Sequence, residues 1–255
     1  MGYRHILSER DGTVAVVTMN RPERRNALSH EHIEELIAAL TDIGRSDARA
    51  VVVAANGPVF SAGHDYGDMV ERDLQGFRAL FARCADMMRL VQALPQPVVA
   101  SVQGVATGAG CQLVATCDLA VASEEASFAT PGGRGGWFCS TPMVAVSRAI
   151  GRKRALEMLL TGEAIDAATA ADWGLVNRVV PAERLREETM KLAHAASRGS
   201  TASKATGKHA FYAQIDVDQA HAYEYASEVM AMTAVAPDGR EAIASFFEKR
   251  KPVYR

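Results

Sequence analysis

Gly104-Val105-Ala106-Thr107-Gly108-Ala109-Gly110-Cys111-Gln112-Leu113 is the stretch from which the rest of the chain can be read. A strand-like run, Pro97-Val98-Val99-Ala100-Ser101-Val102, feeds it, and a helix-like run, Cys111 to Thr116, leaves it. Glycine adopts dihedrals closed to other residues and lets backbone come close to a ligand. The first amides of a new helix have no internal partner and sit at its positive end. Such a turn is either a tight strand-to-helix connection or a seat for a negative or partly negative oxygen. Its glycines, Gly104, Gly108 and Gly110, do not have the spacing of a dinucleotide fingerprint.

Outward from this stretch, strand-like and helix-like runs alternate to about residue 180. Thr13 to Met19 is β-branched and short. Ser29 can cap a helix whose Ile33, Leu36, Ile37, Leu40 and Ile43 recur at helical spacing. Ala50 to Ala55 is apolar throughout, the mark of a strand covered on both faces. Gly76 to Leu94, Thr141 to Leu160 (broken at Gly151) and Asp166 to Trp173 read as helices. Asp118 to Ser123, Ala126 to Thr130 and Leu175 to Val180 read as strands. After Ala182 only helical patterning remains. The alternation predicts an α/β fold with parallel pairing.

The composition narrows the function. The 255 residues are 48% hydrophobic with a net charge of -2, so no polyanion partner is implied. No apolar run approaches the roughly 20 residues of a membrane span. The first residues, Met1 to Asp11, carry early acids and no apolar stretch, so no signal or transit peptide is expected. Cys84, Cys111, Cys117 and Cys139 form no CxxC pair and no metal spacing. Buried thiols in a reducing cytoplasm are the expectation.

A second small-residue turn, Phe60-Ser61-Ala62-Gly63-His64-Asp65, also follows a buried strand. If the two strands are neighbours, both turns lie at one end of the sheet, where α/β folds bind ligands. Two converging backbone amides would stabilise charge developing on a carbonyl oxygen.

These segments, with Asn20-Arg21-Pro22, Asn26-Ala27-Leu28, Cys117-Asp118-Leu119-Ala120 and Phe246-Phe247-Glu248-Lys249-Arg250-Lys251-Pro252, resemble the enoyl-CoA hydratase/isomerase (crotonase) superfamily from about Thr13 to Tyr254. Phe128-Ala129-Thr130-Pro131-Gly132 and Phe138-Cys139-Ser140-Thr141-Pro142 resemble its subgroup called enoyl-CoA hydratase domain-containing protein 3. The resemblance implies a crotonase-like spiral of ββα units over residues 1–196. It implies a C-terminal helical segment over 197–255 that builds trimers, often paired into hexamers. It implies an acyl-CoA thioester as substrate, with coenzyme A arriving as part of it and no permanently bound cofactor. His64 and Ala109 would supply the two amides. Arg24, Arg25, Ala27, Ala62, His64, Asp65, Tyr66, Gly67 and Gly108 would hold the CoA, with Phe246 and Lys249 reaching it from the C-terminal segment.

The pattern departs from the family at two positions. Hydratases of the family use two glutamates, and Gln112 and Gly132 stand where they would be. Gln cannot take a proton near neutral pH, and a positioned acid or base is worth about 10²–10⁴ in rate. A malonyl-type decarboxylase, which needs no base, and a non-catalytic acyl-CoA binder are the other readings. Arg134 is either a solvated loop residue or the partner of an acyl carboxylate. Cys139 is either packing or a nucleophile, and no His adjacent in sequence activates it. Trp137 and Phe138 are either core or the acyl-pocket wall. The His64 side chain is a candidate proton donor.

Overall fold

The computed structural model describes residues 2–254. Two sheets carry the architecture. The larger contains β1 (Ile6–Asp11), β2 (Val14–Met19), β3 (Ala50–Ala55), β5 (Val98–Val102), β7 (Leu119–Ser123) and β10 (Arg178–Val180), side by side in that order. The smaller contains β4 (Val59–Ser61), β6 (Val105–Thr107), β8 (Ser127–Ala129) and β9 (Ile165–Asp166). From β2 to β10 the large sheet is parallel, with Val14 opposite Ala50, Val51 opposite Val98 and Val99 opposite Leu119.

A strand of the large sheet, a strand of the small sheet and a helix form one repeating unit. β3 and β4 lead to α2 (Leu74–Ala93). β5 and β6 lead to α3 (Ala109–Thr116). β7 and β8 lead to α4 (Pro142–Ile150) and α5 (Arg152–Thr161), and β9 leads to α6 (Ala167–Trp173). This is the expected spiral of ββα units. Three-residue β4 and β6 are too short to show a two-residue alternation, so the sequence reads them as turns.

The continuous apolar run of β3 divides between two cores. Val51 and Val53 face the main one, with α1 (His30–Gly44) and α2. Ala50 and Val52 face the other, beneath α7 (Leu185–Ala196). β1 has no counterpart in the sequence reading. Only its Ile6 is buried, and its remaining residues, polar or charged but for Leu7, form an exposed edge antiparallel to β2.

Past residue 197 the chain is helical: α8 (Thr201–Gln214), α9 (Gln219–Val235) and α10 (Pro237–Phe247). A largely buried polar cluster ties this segment to the sheets. Lys208 Nζ lies 2.7 Å from Asp118 Oδ2 and donates to the carbonyls of Val91 and Gln96, each at 2.9 Å. Tyr212 donates to Asp118 Oδ1, and the Val98 N–H to Oδ2, both at 2.7 Å. Burial lowers the Lys208 pKa while Asp118 draws it back up.

Candidate active site

Each glycine of the central stretch is required by a different contact. A Cβ on Gly104 would lie 2.1 Å from the Pro58 carbonyl oxygen, and one on Gly110 would lie 2.5 Å from that of Ser61. Gly110 thus lets α3 seat directly on β4. Gly108 takes φ 53°, which a side chain would strain, and its N–H donates to the Ala129 carbonyl at 3.0 Å.

The second turn abuts the first. Gly63 has φ +86°, and a Cβ there would stand 2.9 Å from the Thr107 carbonyl oxygen and 3.2 Å from the Ala109 nitrogen. β3 and β5 are neighbours, so the two turns meet at one end of the parallel strands. Leu28 pairs with His64 in a parallel bridge, donating to Gly63 and accepting from Asp65. In a parallel bridge this leaves the His64 N–H directed to the opposite side. Ala109 opens α3, where amides lack intrahelical partners. Among the described residues, neither the His64 nor the Ala109 N–H donates a hydrogen bond to the protein.

A cavity of about 140 Å³ opens between these turns. It is lined by Ala62, Gly63 and His64 on one side and by Thr107, Gly108 and Ala109 on the other. Tyr66, Phe81 and the segments Pro131–Gly132 and Trp137–Pro142 close it. Trp137 anchors an aromatic wall, its ring centroid 5.5 Å from Phe81, 6.2 Å from Phe77 and 6.4 Å from Tyr66. Trp137 and Phe138 therefore face the cavity. Phe81, absent from the sequence reading, had one available signal: Phe77 and Phe81 stand four residues apart on one face of α2.

Among the described residues no Asp, Glu, Lys or Arg lines the cavity. Its titratable side chains are His64, Tyr66 and Cys139. The His64 ring packs edge-on to Phe81, with centroids 5.3 Å apart. Both ring nitrogens are shielded from solvent and neither has a protein hydrogen-bond partner. An unmade bond of this kind costs about 1–3 kcal/mol. Burial pushes the imidazole pKa below the usual histidine range, with the Leu28 carbonyl and Asp68 opposing it less strongly. The Cys139 thiol accepts from the Gly132 N–H at 3.3 Å, and burial pushes its pKa up. Burial outweighs the opposing effect of the Gly132 N–H, so these surroundings do not activate the thiol as a nucleophile.

The two positions that depart from the family pattern differ in kind. Gly132 lines the cavity, but a Cβ there would lie 2.1 Å from the Trp137 carbonyl oxygen and 2.8 Å from Cys139 Sγ. The loop is folded around the absence of a side chain. Gln112 does not line the cavity: α3 is encased, and the side chain ends in the interior with Oε1 unpartnered. Arg134 also stays outside. Its stem lies against Gly162, where a Cβ would meet Cγ and Cδ at 2.6 Å.

The residues expected to hold CoA fall into two groups. Arg24, Arg25, Ala27, Ala62, Asp65, Tyr66 and Gly67 are brought together. Buried Asp65 accepts from Arg21 at 2.8 Å, Arg24 at 3.3 Å and the Gly67 N–H at 2.9 Å. Ala62 donates to the Arg25 carbonyl at 3.0 Å. With Asp65 so occupied, its pKa falls although burial opposes this. Phe246 and Lys249 are exposed at the end of α10 and do not line the cavity.

Comparison with known proteins agrees with this geometry. The family model described as enoyl-CoA hydratase/isomerase matches residues 9–255. A mouse protein named enoyl-CoA hydratase domain-containing protein 3, mitochondrial, is 45% identical over 96% of this chain and 82% of its own length. A crystal structure of an enoyl-CoA hydratase from Mycobacterium smegmatis superimposes with a TM-score of 0.95 at 45% identity, covering 98% of each chain. That of human enoyl-CoA hydratase domain-containing protein 3 superimposes with a TM-score of 0.93 at 42% identity, covering 98% of this chain and all of the other. The mitochondrial designation of the mouse and human relatives overturns the expected cytoplasmic location. Four unpaired cysteines among the described residues do not say which compartment holds the protein. The glycine contacts, the parallel strands and these matches agree: the chain belongs to the enoyl-CoA hydratase/isomerase family.

Proposed function

We propose that this protein binds an acyl-CoA thioester and polarises its carbonyl between the His64 and Ala109 N–H groups, as an enzyme of enolate-type chemistry rather than an efficient hydratase. The observation that carries this is the contact of Gly63 with the Thr107–Ala109 backbone, which brings two unengaged amides to one cavity. Arg24, Arg25 and Gly67, beside the mouth, are the proposed CoA contacts, and the acyl group takes the aromatic cavity. Phe246 and Lys249 join them from a neighbouring subunit in a homotrimer or hexamer built by residues 197–255. Support for self-association comes from α9, which buries no residue in the single chain although Met230, Met232 and Val235 lie on it.

Among the described residues no carboxylate lines the cavity, and this sets the first prediction. Crotonyl-CoA binds, and its hydration runs below the range of about 1–10³ s⁻¹ typical of enzymes. A spectrophotometric hydration assay with calorimetric binding checks both. Turnover inside that range overturns the view that this is a poor hydratase. Binding without turnover on enoyl, β-hydroxyacyl and saturated thioesters would instead make the protein a binder. Decarboxylation gains no support, because among the described residues no cationic side chain lines the cavity, and Arg134 packs on Gly162.

A further inference from the structure

We infer that Trp137 is a specificity-determining residue of this site, closing the cavity on an acyl group of about six non-hydrogen atoms and excluding longer chains. The inference rests on the acyl-CoA reading above and deepens it by naming the substrate class, thioesters of short acyl groups, and the residue that sets the limit.

The size of the cavity carries the argument. Its volume is about 140 Å³, close to that of an apolar cavity of about 150 Å³ that takes up one benzene ring. The thioester carbonyl shares that space, since Gly63 and Ala109 line it and both are buried. Trp137 and Tyr66 line it as well, and both are exposed, so they form its outer edge. An acyl chain growing outward from the carbonyl therefore comes up against the indole. Among the described residues no charged side chain lines the space, which suits an apolar tail.

The indole is held by ring and by main chain. Its ring packs against Phe77 and Phe81 of α2 and against Tyr66 of the turn after β4. Its N–H donates to the Gly132 carbonyl at 3.0 Å. Its own carbonyl oxygen stands 2.1 Å from where a Cβ on residue 132 would be. Any side chain at 132 would push Trp137 off this position. The glycine that stands where the family's hydratases hold a glutamate thus has a second consequence. It positions the wall that shortens the cavity.

The test measures dissociation constants for acetyl-, butyryl-, hexanoyl- and decanoyl-CoA by calorimetry. Each methylene that finds room tightens binding about fourfold. Affinity is therefore expected to rise from acetyl- to butyryl-CoA and to level off by hexanoyl-CoA. Decanoyl-CoA is expected to bind about 10-fold more weakly than butyryl-CoA, the scale on which overfilling a packed space is penalised. Trp137→Ala lifts the limit, so that decanoyl-CoA binds at least as tightly as butyryl-CoA, while Trp137→Phe keeps the wild-type order. A tryptophan that only supported the fold would change all four affinities alike. Should Trp137→Ala fail to fold, Trp137→Leu carries the same readout. Wild-type affinity that climbs through decanoyl-CoA overturns the inference, as does a chain-length order unchanged in the folded variant. If none of the four thioesters binds, the acyl-CoA reading itself falls.

Discussion

Gly63→Ala is expected to lower thioester-dependent turnover by about 10²–10³-fold, the loss that follows removal of one donor from a paired-amide site. The cause is steric and backbone-borne. The added Cβ meets the Thr107 carbonyl oxygen at 2.9 Å and the Ala109 nitrogen at 3.2 Å, so the turns must part or twist. Residue 63 also sits at φ +86°, where an alanine costs about 1–2 kcal/mol. The molecule should remain folded, and the rate loss should far exceed the stability loss. Gly135→Ala is the control, since its Cβ would meet nothing within 4 Å and its φ is not positive. Initial rates of thioester turnover and urea titrations of both variants give the comparison. Equal rates in Gly63→Ala and wild type would remove the geometric basis of the site.

Asp118→Ala is expected to cost about 3–5 kcal/mol of stability, because it strands a buried ammonium. Asp118 is the only carboxylate that pairs with Lys208 among the described residues. It also accepts from Tyr212 and from the Val98 N–H at the start of β5. Removing it leaves the Tyr212 O–H and the Val98 N–H without this acceptor and leaves Lys208, still bonded to the Val91 and Gln96 carbonyls, without its counter-charge at the joint between the sheets and α8. The midpoint of urea unfolding should fall well below wild type. Asp118→Ala combined with Lys208→Met, which removes the stranded charge, should recover part of the loss. A single variant as stable as wild type would show that the joint contributes nothing.

Both predictions begin with residues whose meaning was unequally visible in the sequence. The Gly104–Leu113 stretch declared a strand-to-helix turn, and the unbroken apolar run of β3 declared a strand buried on both faces. Local chemistry sufficed in those cases. The small sheet was hidden, because Val59–Ser61 and Val105–Thr107 are three residues each, held by two paired positions across a bulge and by β8 rather than by a period of their own. β1 was hidden for the opposite reason: an exposed edge needs no apolar alternation. At the site, the turns and Cys139 could be named from the residues and the family resemblance. That Gln112 ends in the interior and that Arg134 leans on Gly162 depend on how helices pack, which no local pattern encodes, whereas the spacing of Phe77 and Phe81 shows a shared helix face but not the cavity it walls.

The pairing of the two amides is reported most directly by the bound ester itself. Butyryl-CoA labelled with carbon-13 at the thioester carbonyl gives an isolated stretching band in difference infrared spectra. Donation from His64 and Ala109 predicts a shift to lower frequency on binding to wild-type protein, with the shift diminished in Gly63→Ala. A bound ester whose carbonyl absorbs as it does in free solution would contradict the account.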